Sequence, residues 1–394
     1  MESPEGHSVV EDTKEKMIYL DNAATSFPKA PGTSAAVSRF LDEVGANSGR
    51  SSHPQAHESS SIIFNCREIL ADFFGNLDSD RIIFTSGTTE GLNIAIQGMA
   101  REGATILTSS IEHNSVMRPL RFMEQTRGVK VLKFSADRFG FPDLKDFHEK
   151  LKVKPDFLVF SAASNVTGVI VPFEEMALAA SKKGIPVCVD GAQLAGSRKI
   201  DLTDTGIDLF AFPGHKGLLG PTGTGGLYIG EKADPTPLFF GGTGSRSSEE
   251  LQPSFMPDKY ESGTPNIAGI AGLLESVRYI NKIGINKVTK KENMLSRLLI
   301  EGLAGIDDIN IFTPLHEHEH TAVVSISSDR MNISDLTLKL DRKDIAVRMG
   351  LHCAPAAHRT IGTFGSGGTI RLSPGYFTTE QEIEETINII REIL

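Results

Sequence analysis

The stretch Asp208-Leu-Phe-Ala-Phe-Pro-Gly-His-Lys-Gly-Leu-Leu-Gly-Pro221 predicts an apolar strand, a tight Pro-Gly turn, and then a His-Lys pair among small residues. Lys216 is thereby delivered by the end of a strand, with an imidazole beside it. A lysine in this setting can hold an aldehyde cofactor as a Schiff base. A loop lysine is more often a solvated surface residue, so the Gly-His-Lys tripeptide alone is a weak signal.

A second apolar strand, Val187-Cys-Val-Asp190, lies upstream and ends in a carboxylate. Pyridoxal phosphate (PLP) needs both groups: a lysine binds its aldehyde carbon, and a carboxylate keeps its ring nitrogen protonated. The ~26 residues between Asp190 and Lys216 leave room for a strand-helix-strand unit, which favours the cofactor interpretation over a surface lysine.

The 394 residues, 39% hydrophobic and 23% charged, have the composition of a globular protein of two or three domains. A net charge of −10 disfavours nucleic acid or an anionic membrane as the main partner. Apolar runs stay well short of the ~20 residues of a transmembrane helix, and the N-terminus does not resemble a secretory signal. Three irregularly spaced cysteines disfavour disulfides and zinc, so we expect no metal and a reduced, cytoplasmic location.

Strand and helix signals alternate along the first two thirds of the chain. Residues 58–75 predict an amphipathic helix, and a second helix is predicted from Ser86 through Ile96. The predicted strands are 81–85, 105–108, 130–134, 157–160, 186–190, 209–212 and 226–229. This alternation predicts the α/β class, with a mostly parallel sheet covered by helices and ligands beyond the carboxyl ends of the strands. Five residues that lie at or past the ends of predicted strands are then expected at the same edge of the sheet: Thr85, His113, Asn165, Asp190 and Lys216.

The last third of the chain predicts a smaller α+β domain over residues 265–394, after a large domain over 19–264 and a partly disordered N-terminal arm over 1–18. Helices are predicted over 266–304, 333–342 and 379–393, and strands over 321–326, 345–348 and 369–373. We expect the active site at the seam between the two domains.

Ser86-Gly87-Thr88-Thr89-Glu90-Gly91 opens a predicted helix. Its backbone N–H groups, its hydroxyls and the positive end of the helix dipole form an anion site that suits a cofactor phosphate. An ordinary capping box from Ser86 to Thr89 or Glu90 explains the same residues, and the two interpretations can coexist.

Three further polar residues are candidates for contacts to the cofactor ring. His113 follows a strand and a loop, where an imidazole can stack on the ring and shuttle protons, although a lone histidine is more often structural. Asn165 and Gln193 can each reach the ring hydroxyl; an asparagine before a turn more often serves the turn itself.

Cys353 lies in Arg348-Met-Gly-Leu-His-Cys-Ala-Pro355, after a predicted strand and between glycine and proline. This places it on a loop, whereas Cys66 and Cys188 fall within apolar patterns and are expected to be buried and inert. A loop thiol near His352 and Arg348 can be ionised and nucleophilic.

Arg371 has apolar neighbours, Ile370 and Leu372, on a predicted strand. It is suited to bind a substrate carboxylate through two parallel hydrogen bonds, and a surface ion pair is the alternative.

The segment His316-Glu-His-Glu-His320 would put His316, His318 and His320 on one side of an extended chain. Such a cluster can bind a metal, but its place between a turn and a strand favours a solvated face.

Together these segments resemble the class V aminotransferase group of fold-type I PLP enzymes, and within it the cysteine desulfurases. The resemblance covers about Tyr19 to Leu394. It rests on these segments, in order: Tyr-Leu-Asp-Asn-Ala-Ala-Thr (19–25), Thr-Ser-Gly-Thr-Thr-Glu (85–90), Glu-His-Asn-Ser (112–115), Asn-Val-Thr-Gly (165–168), Val-Asp-Gly-Ala-Gln (189–193), Gly-His-Lys (214–216), Glu-Ser-Gly-Thr-Pro-Asn (261–266) and Arg-Met-Gly-Leu-His-Cys (348–353).

The resemblance implies a role for each matching residue. PLP would be bound to Lys216, with Asp190 at the ring nitrogen, Gln193 near the ring hydroxyl and His113 on the ring face. Thr88, His215 and, from a partner subunit in a homodimer, Thr264 would contact the phosphate. Arg371 would bind the substrate carboxylate, with Asn165 nearby, and Cys353 would be the nucleophile that carries a persulfide. The short spacing around Cys353 is closest to the SUF-like and selenocysteine-lyase-like branch.

Two departures from the family pattern matter. Pro213 stands where many desulfurases have a serine that contacts the phosphate, so one hydroxyl contact is missing. The segment after Cys353, through Gly368, also differs from the best-known members, which leaves the exact substrate and sulfur acceptor open.

The implied reaction converts L-cysteine to L-alanine and leaves a persulfide on Cys353, for transfer to an acceptor protein as in iron–sulfur cluster assembly. An alternative is a lyase for selenocysteine or cystine, or an aminotransferase, in which Cys353 is not essential. A different class is a non-catalytic sulfur-assembly partner, which the joint presence of Lys216, Asp190, His113 and Arg371 disfavours.

Overall fold

The structure is a computed structural model that describes residues 17–49, 52–246, 248–316 and 318–394. Most of the predicted N-terminal arm lies outside these ranges. The strands in the described part are β1 (Ile18–Tyr19), β2 (Ile82–Thr85), β3 (Thr105–Ser109), β4 (Lys130–Phe134), β5 (Phe157–Ser161), β6 (Val187–Asp190), β7 (Leu209–Pro213), β8 (Gly225–Ile229), β9 (Ile309–Ile311), β10 (Val324–Ser328), β11 (Ile345–Ala346), β12 (Arg348–Gly350) and β13 (Thr369–Leu372).

The α-helices in the same ranges pack around these strands. They are α1 (Thr33–Arg39), α2 (Pro54–Phe73), α3 (Thr88–Met99), α4 (Asn114–Arg127), α5 (Leu144–Leu151), α6 (Phe173–Ser181), α7 (Ile267–Ile283), α8 (Ile285–Ala304), α9 (Ile333–Asp341), α10 (Pro355–Thr360) and α11 (Glu380–Ile393). None of these helices is both long enough and apolar enough to cross a membrane.

The large sheet has the strand order β2-β8-β7-β6-β5-β3-β4. The strands from β7 to β4 run parallel, and β8 pairs antiparallel with both β7 and β2. The prediction of a mostly parallel α/β sheet is therefore confirmed. Because β2 points the same way as the parallel strands, its carboxyl end reaches the same edge of the sheet.

Both faces of the large sheet are buried, which explains why its strands are continuous apolar runs rather than alternating ones. Strand β7 illustrates this: Phe210 and Phe212 pack into one apolar cluster, while Leu209 and Ala211 pack into the other. Successive side chains of a strand point to opposite faces, so each face needs its own helical cover.

The second sheet is antiparallel, with the order β12-β13-β10-β9, and β1 pairs with β11 beside it. Its core combines Leu20 with apolar residues of α8, α9 and α11. The start of the described chain thus packs into the core of the C-terminal unit, although the sequence analysis assigned residues from 19 onward to the large domain.

Helices α7 and α8 divide the predicted helical region 266–304 at Gly284, which has a φ of 85°. Helix α7 packs its apolar residues into the core of the large sheet, whereas α8 packs Leu295 and Leu299 into the core of the small one. The predicted domain limit at residue 265 stays a prediction, and this packing favours a division near Gly284.

Candidate active site

A cavity of about 190 Å³ lies at the carboxyl edge of the large sheet. The loops after β2, β3, β5, β6 and β7 surround it, because the carboxyl ends of parallel strands meet at one edge. The structure brings together there eight of the residues predicted from the sequence: Gly87, Thr88, His113, Asn165, Asp190, Gln193, His215 and Lys216. Ser161 and Ser115, to which the sequence analysis gave no role, also line it.

Lys216 follows β7 and lines this cavity. Burial lowers the pKa of its amine to about 8, against the opposing effect of Asp190, and Arg371 contributes in the same direction as burial. A lysine with a pKa near neutrality has an appreciable unprotonated fraction, which is the form that attacks an aldehyde carbon.

Asp190 ends β6, is 5% exposed, and accepts a hydrogen bond from Ala192 N at 2.8 Å. Burial raises the pKa of Asp190, while the Ala192 N–H, the Lys216 ammonium and the Ser161 hydroxyl act against that rise. A buried carboxylate that lacks a full cationic partner suits a protonated ring nitrogen.

His113 caps the N-terminus of α4, where its Nδ1 accepts a hydrogen bond from Ser115 N at 3.0 Å. Burial, together with the positive charges of Lys216 and Arg371, lowers the pKa of His113 to about 4. The ring is therefore neutral at physiological pH and carries its proton on Nε2, a form that can stack on a flat cofactor.

The start of α3 has the features of an anion site. Only half of the alternative capping box is formed: the Glu90 carboxylate accepts from Ser86 N at 2.6 Å, but no side chain bonds back from the N-cap, Gly87. Within the described ranges, Thr88 Oγ1 and His215 Nδ1 are buried without a hydrogen-bond partner. Buried polar groups are almost always paired, so two orphaned groups beside a helix N-terminus fit a bound phosphate.

Gln193 and Pro213 also line the cavity of Lys216. Gln193 donates from Nε2 to Ala23 O at 3.2 Å. Pro213 is buried as the last residue of β7, so this position presents an apolar ring and no hydroxyl.

Arg371 is 2% exposed in β13. It donates from Nη2 to Asp21 Oδ1 at 2.9 Å and from Nη1 to the Asn165 carbonyl oxygen at 3.0 Å. Its Nε is buried without a partner in the described part of the chain. The alternative of a surface ion pair is wrong only in its location: Arg371 does pair with Asp21, but its guanidinium is buried and part of its donor set remains unused.

Cys353 is exposed and lies in the turn that follows β12. His352 and Cys353 have φ angles of 47° and 56°, so two consecutive residues are left-handed. The turn is tied to the cavity wall, since Asn165 Nδ2 donates to His352 O at 2.7 Å and Asn114 N donates to Cys353 O at 2.8 Å. Asn165 thus contacts the cavity, the turn and Arg371 at once.

The expectation that His352 supplies a positive charge to the Cys353 thiol is wrong. His352 is 5% exposed, and burial together with Arg371 lowers its pKa to about 2, so the ring is neutral. Its Nε2 pairs with Thr369 Oγ1 at 3.0 Å. Of the two basic neighbours suggested by the sequence, this leaves Arg348.

The other two cysteines are buried, as predicted. Burial raises the pKa of Cys66 and of Cys188, which keeps both thiols protonated and unreactive.

Thr264 lines a different cavity, of about 720 Å³, together with Arg67, Glu261 and Phe239. Ser86 and Glu90 line both cavities, so the two adjoin at the start of α3. Thr264 of this chain does not line the cavity of Lys216.

Of the histidines at 316–320, His318 and His320 make contacts within the fold, and His316 is exposed. His318 stacks on Phe141 with a ring separation of 4.0 Å and bonds Asp137 through Nε2 at 3.0 Å, and His320 Nδ1 lies 2.8 Å from Thr321 O. No group of three His, Cys, Asp or Glu residues in the described ranges is arranged to hold a metal ion.

Asp21, Ser115 and Ser161 are the site residues that sequence reasoning missed. Asp21 lay in a segment used for the resemblance, but its partner Arg371 is 350 residues away. Ser161 was detectable, because it stands at the carboxyl end of a predicted strand next to the cavity.

Comparisons with known proteins give a consistent result. The family model of class V aminotransferases matches residues 18–386. A probable cysteine desulfurase of Pyrococcus abyssi is 32% identical, covering 96% of this chain and 95% of the relative. A probable cysteine desulfurase of Vibrio cholerae is also 32% identical, covering 95% of this chain and 93% of the relative.

Solved structures show the same relationship. The apo cysteine desulfurase of Thermococcus onnurineus NA1 superposes with a TM-score of 0.90 at 31% identity, covering 96% of this chain and 94% of that one. A cysteine desulfurase of Escherichia coli has a TM-score of 0.86 at 28% identity, covering 96% and 95%. The chain therefore belongs to the class V aminotransferase family, whose enzymes depend on PLP.

Proposed function

We propose that this enzyme is a cysteine desulfurase, which converts L-cysteine to L-alanine and collects the sulfur as a persulfide on Cys353. The observation that carries the proposal is Asn165, which joins the cavity of Lys216 and Asp190 to the exposed Cys353 turn. The names of the relatives from Pyrococcus abyssi and Vibrio cholerae support the same activity.

PLP, when bound, supplies an electron-withdrawing ring that acidifies the Cα–H bond of an amino acid. Lys216 would hold its aldehyde carbon, and Asp190 would hold its ring nitrogen. Thr88 and His215, whose buried polar atoms lack a partner in the described structure, would bind the phosphate. His113 would cover one ring face as a neutral imidazole, and Gln193 would lie near the ring hydroxyl.

The substrate would be oriented by Arg371, which keeps an unused Nε beside its bonds to Asp21 and Asn165. The amine of Lys216 is positioned to take the Cα proton, since its lowered pKa lets it act as a base near neutral pH. Arg371 and Lys216 together would determine which bond of the substrate faces the base.

Sulfur transfer balances without an added oxidant or reductant. The Cys353 thiolate attacks the substrate sulfur, an S–S bond forms, and the C–S bond breaks with its electron pair going to carbon. Protonation of that carbon gives L-alanine. The net change is L-cysteine plus the Cys353 thiol to L-alanine plus the Cys353 persulfide.

The decisive experiment is incubation of the holoenzyme with L-cysteine, followed by mass spectrometry of the peptide that contains Cys353 and measurement of alanine. We expect a gain of one sulfur on Cys353 and alanine in equal amount. Pyruvate with ammonia would instead indicate a lyase, and amino transfer to a keto acid would indicate an aminotransferase.

We also propose that the enzyme is a cytoplasmic homodimer that passes sulfur to an acceptor protein. The free state of all three cysteines supports a reducing compartment. Thr264 lines an open cavity and not the cavity of Lys216 in its own chain, which leaves it available to a neighbouring subunit. The exposed position of Cys353 suits transfer to a second protein. Measuring whether turnover requires the dimer would test the proposed homodimer. Measuring loss of the Cys353 persulfide to candidate acceptor proteins would test sulfur transfer.

A further inference from the structure

Behind the cavity lies a buried acid that the proposed mechanism does not use. Glu112 is 0% exposed in the loop between β3 and α4, next to His113 in sequence. Its Oε2 accepts from Ser161 Oγ at 2.7 Å and its Oε1 accepts from Ser161 N at 3.1 Å, and the Ser109 hydroxyl also donates to Oε1. Serine and backbone donors surround this carboxyl rather than a basic partner.

Ser161 connects Glu112 to Asp190. Ser161 and Asp190 are paired residues of the neighbouring parallel strands β5 and β6, which places their side chains on the same face of the sheet. Both line the cavity. Ser161 therefore stands between two buried carboxyl groups.

A serine hydroxyl carries a single proton, so it can donate to one of these carboxyl groups at a time. If Glu112 is ionised, the Ser161 hydroxyl donates its proton in a hydrogen bond to the Glu112 carboxylate. If Glu112 is protonated, its own O–H can donate to a serine oxygen, and the Ser161 hydroxyl is then free to turn to Asp190.

Burial and the charge of Asp190 shift Glu112 toward the protonated form. Burial raises the pKa of Glu112 to about 7 in spite of the serine donors, and the negative charge of Asp190 adds to the rise. The titratable groups that face it from the neighbouring strands are Asp190 and Cys188 of β6 and Lys133 of β4. Cys188 is a neutral buried thiol, and Lys133 lies on the edge strand.

We propose that Glu112 is a positioning residue for Asp190: it donates its proton to Ser161, whose hydroxyl then donates to the Asp190 carboxylate and keeps that carboxylate ionised. The inference rests on the proposed function, because it needs a cofactor ring above Asp190. It assigns a role to a residue that touches neither cofactor nor substrate, and it predicts that Ser161 relays the effect.

The test reads the ring nitrogen directly rather than turnover. The holoenzyme is prepared with PLP labelled with ¹⁵N at the ring nitrogen, and its NMR signal is compared among wild type, Ser161→Ala, Ser109→Ala and Glu112→Gln. Ser109→Ala is the matched control, because Ser109 also donates to Glu112 but lies on β3, away from Asp190.

In Ser161→Ala the Asp190 carboxylate loses a donor and competes better for the ring proton. We expect the ratio of ring-protonated to Asp190-protonated forms to fall about ten- to a hundredfold, so the signal moves toward that of neutral pyridine. Ser109→Ala should keep the wild-type signal. Glu112→Gln should keep it too, because an amide N–H replaces the acid proton as donor to Ser161.

The pH dependence of the NMR signal distinguishes a proton relay through Ser161 from an effect of side-chain packing. Between about pH 6 and pH 9 the wild-type signal should move toward the neutral position as Glu112 ionises, whereas Glu112→Gln should show no such change. Ser161→Cys keeps about the same side-chain volume but is a weaker hydrogen-bond donor, so its signal should resemble that of Ser161→Ala. It replaces the alanine variant if that variant does not fold.

A Ser161→Ala signal identical to that of Ser109→Ala would overturn the inference, as would loss of the protonated-ring signal in Glu112→Gln. Failure of wild-type protein to bind labelled PLP at Lys216 would instead contradict the proposed function. If the cofactor binds but its NMR signal does not change in the Ser161 variants, only the relay through Ser161 is contradicted.

Discussion

Lys216 shows how much of the chemistry depends on the surroundings of single residues. Its side chain is half-buried and lines the cavity together with Asp190 and His215. Desolvation disfavours the charged amine more than Asp190 favours it, which lowers its pKa to about 8.

The first prediction concerns loading of apo-enzyme with PLP. Since only the neutral amine reacts with an aldehyde, about one-tenth of Lys216 is reactive at pH 7, against about one in three thousand for an unperturbed lysine. The loading rate, followed by the visible absorbance of the bound cofactor, should rise about tenfold per pH unit and level off above about pH 8. Borohydride reduction should then fix the cofactor to the peptide that contains Lys216. A rate still rising steeply above pH 9, or label on another lysine, contradicts the assignment.

The second prediction concerns Cys353→Ser. The variant should bind PLP and L-cysteine, but the persulfide at position 353 should be absent and alanine formation should fall ~100-fold or more, because a hydroxyl is a far weaker nucleophile toward sulfur near neutral pH. Selenocysteine turnover can persist, since selenium can leave without attack by a thiolate.

Cys66→Ala is the control for this change, because Cys66 is buried and unreactive. It should still gain the persulfide on Cys353. Sulfur release from L-cysteine by Cys353→Ser at the parent rate would replace the desulfurase mechanism with the lyase alternative.

At the scale of elements, the site depends on turns that bring backbone segments into close contact beneath Lys216. Gly196, with a φ of 89°, lies against the backbone of Gly217: a Cβ at position 196 would stand 2.1 Å from the Gly217 carbonyl carbon. Neither the left-handed conformation nor this approach tolerates a side chain.

The third prediction is therefore that Gly196→Ala destabilises the protein by roughly 2–4 kcal/mol and weakens PLP binding, since the turn after Lys216 must shift. Gly184→Ala is a matched control: its φ is 73° and nothing lies within 4 Å of an added Cβ. That variant should lose only about 1 kcal/mol and bind PLP normally. Denaturant unfolding and PLP titration measure the two effects, and equal losses in both variants would refute the contact argument.

At the scale of the whole molecule, distant parts of the chain meet around the site. Tyr19 pairs with Ala346, Asp21 binds Arg371, and Asn165 binds the carbonyl of His352. The small antiparallel sheet is thus attached to the edge of the large sheet where Lys216 lies. Thr264, in contrast, lines the adjoining open cavity.

The fourth prediction follows from the position of Thr264. The enzyme should sediment at twice the 42.6 kDa of one chain. In hybrid dimers of a Lys216→Ala chain and a Thr264→Ala chain, a contribution across the interface would leave one site with both residues intact. PLP titration of the hybrid should show one site of wild-type affinity, whereas Thr264→Ala homodimers should bind more weakly at both sites. Weak binding at every hybrid site, or full turnover by a monomer, would contradict the proposed dimer.

The sequence by itself determined the α/β class, all seven strands of the large sheet, and the grouping of Lys216, Asp190 and His113. These follow from local rules, since apolar runs predict buried strands and the ends of parallel strands share one edge. Only the tertiary structure decided the neutrality of His352, the pairing of Arg371 with Asp21, and the connection of Glu112 through Ser161 to Asp190. Desolvation and contacts between residues far apart in the chain set these properties, and neither is encoded in any single segment.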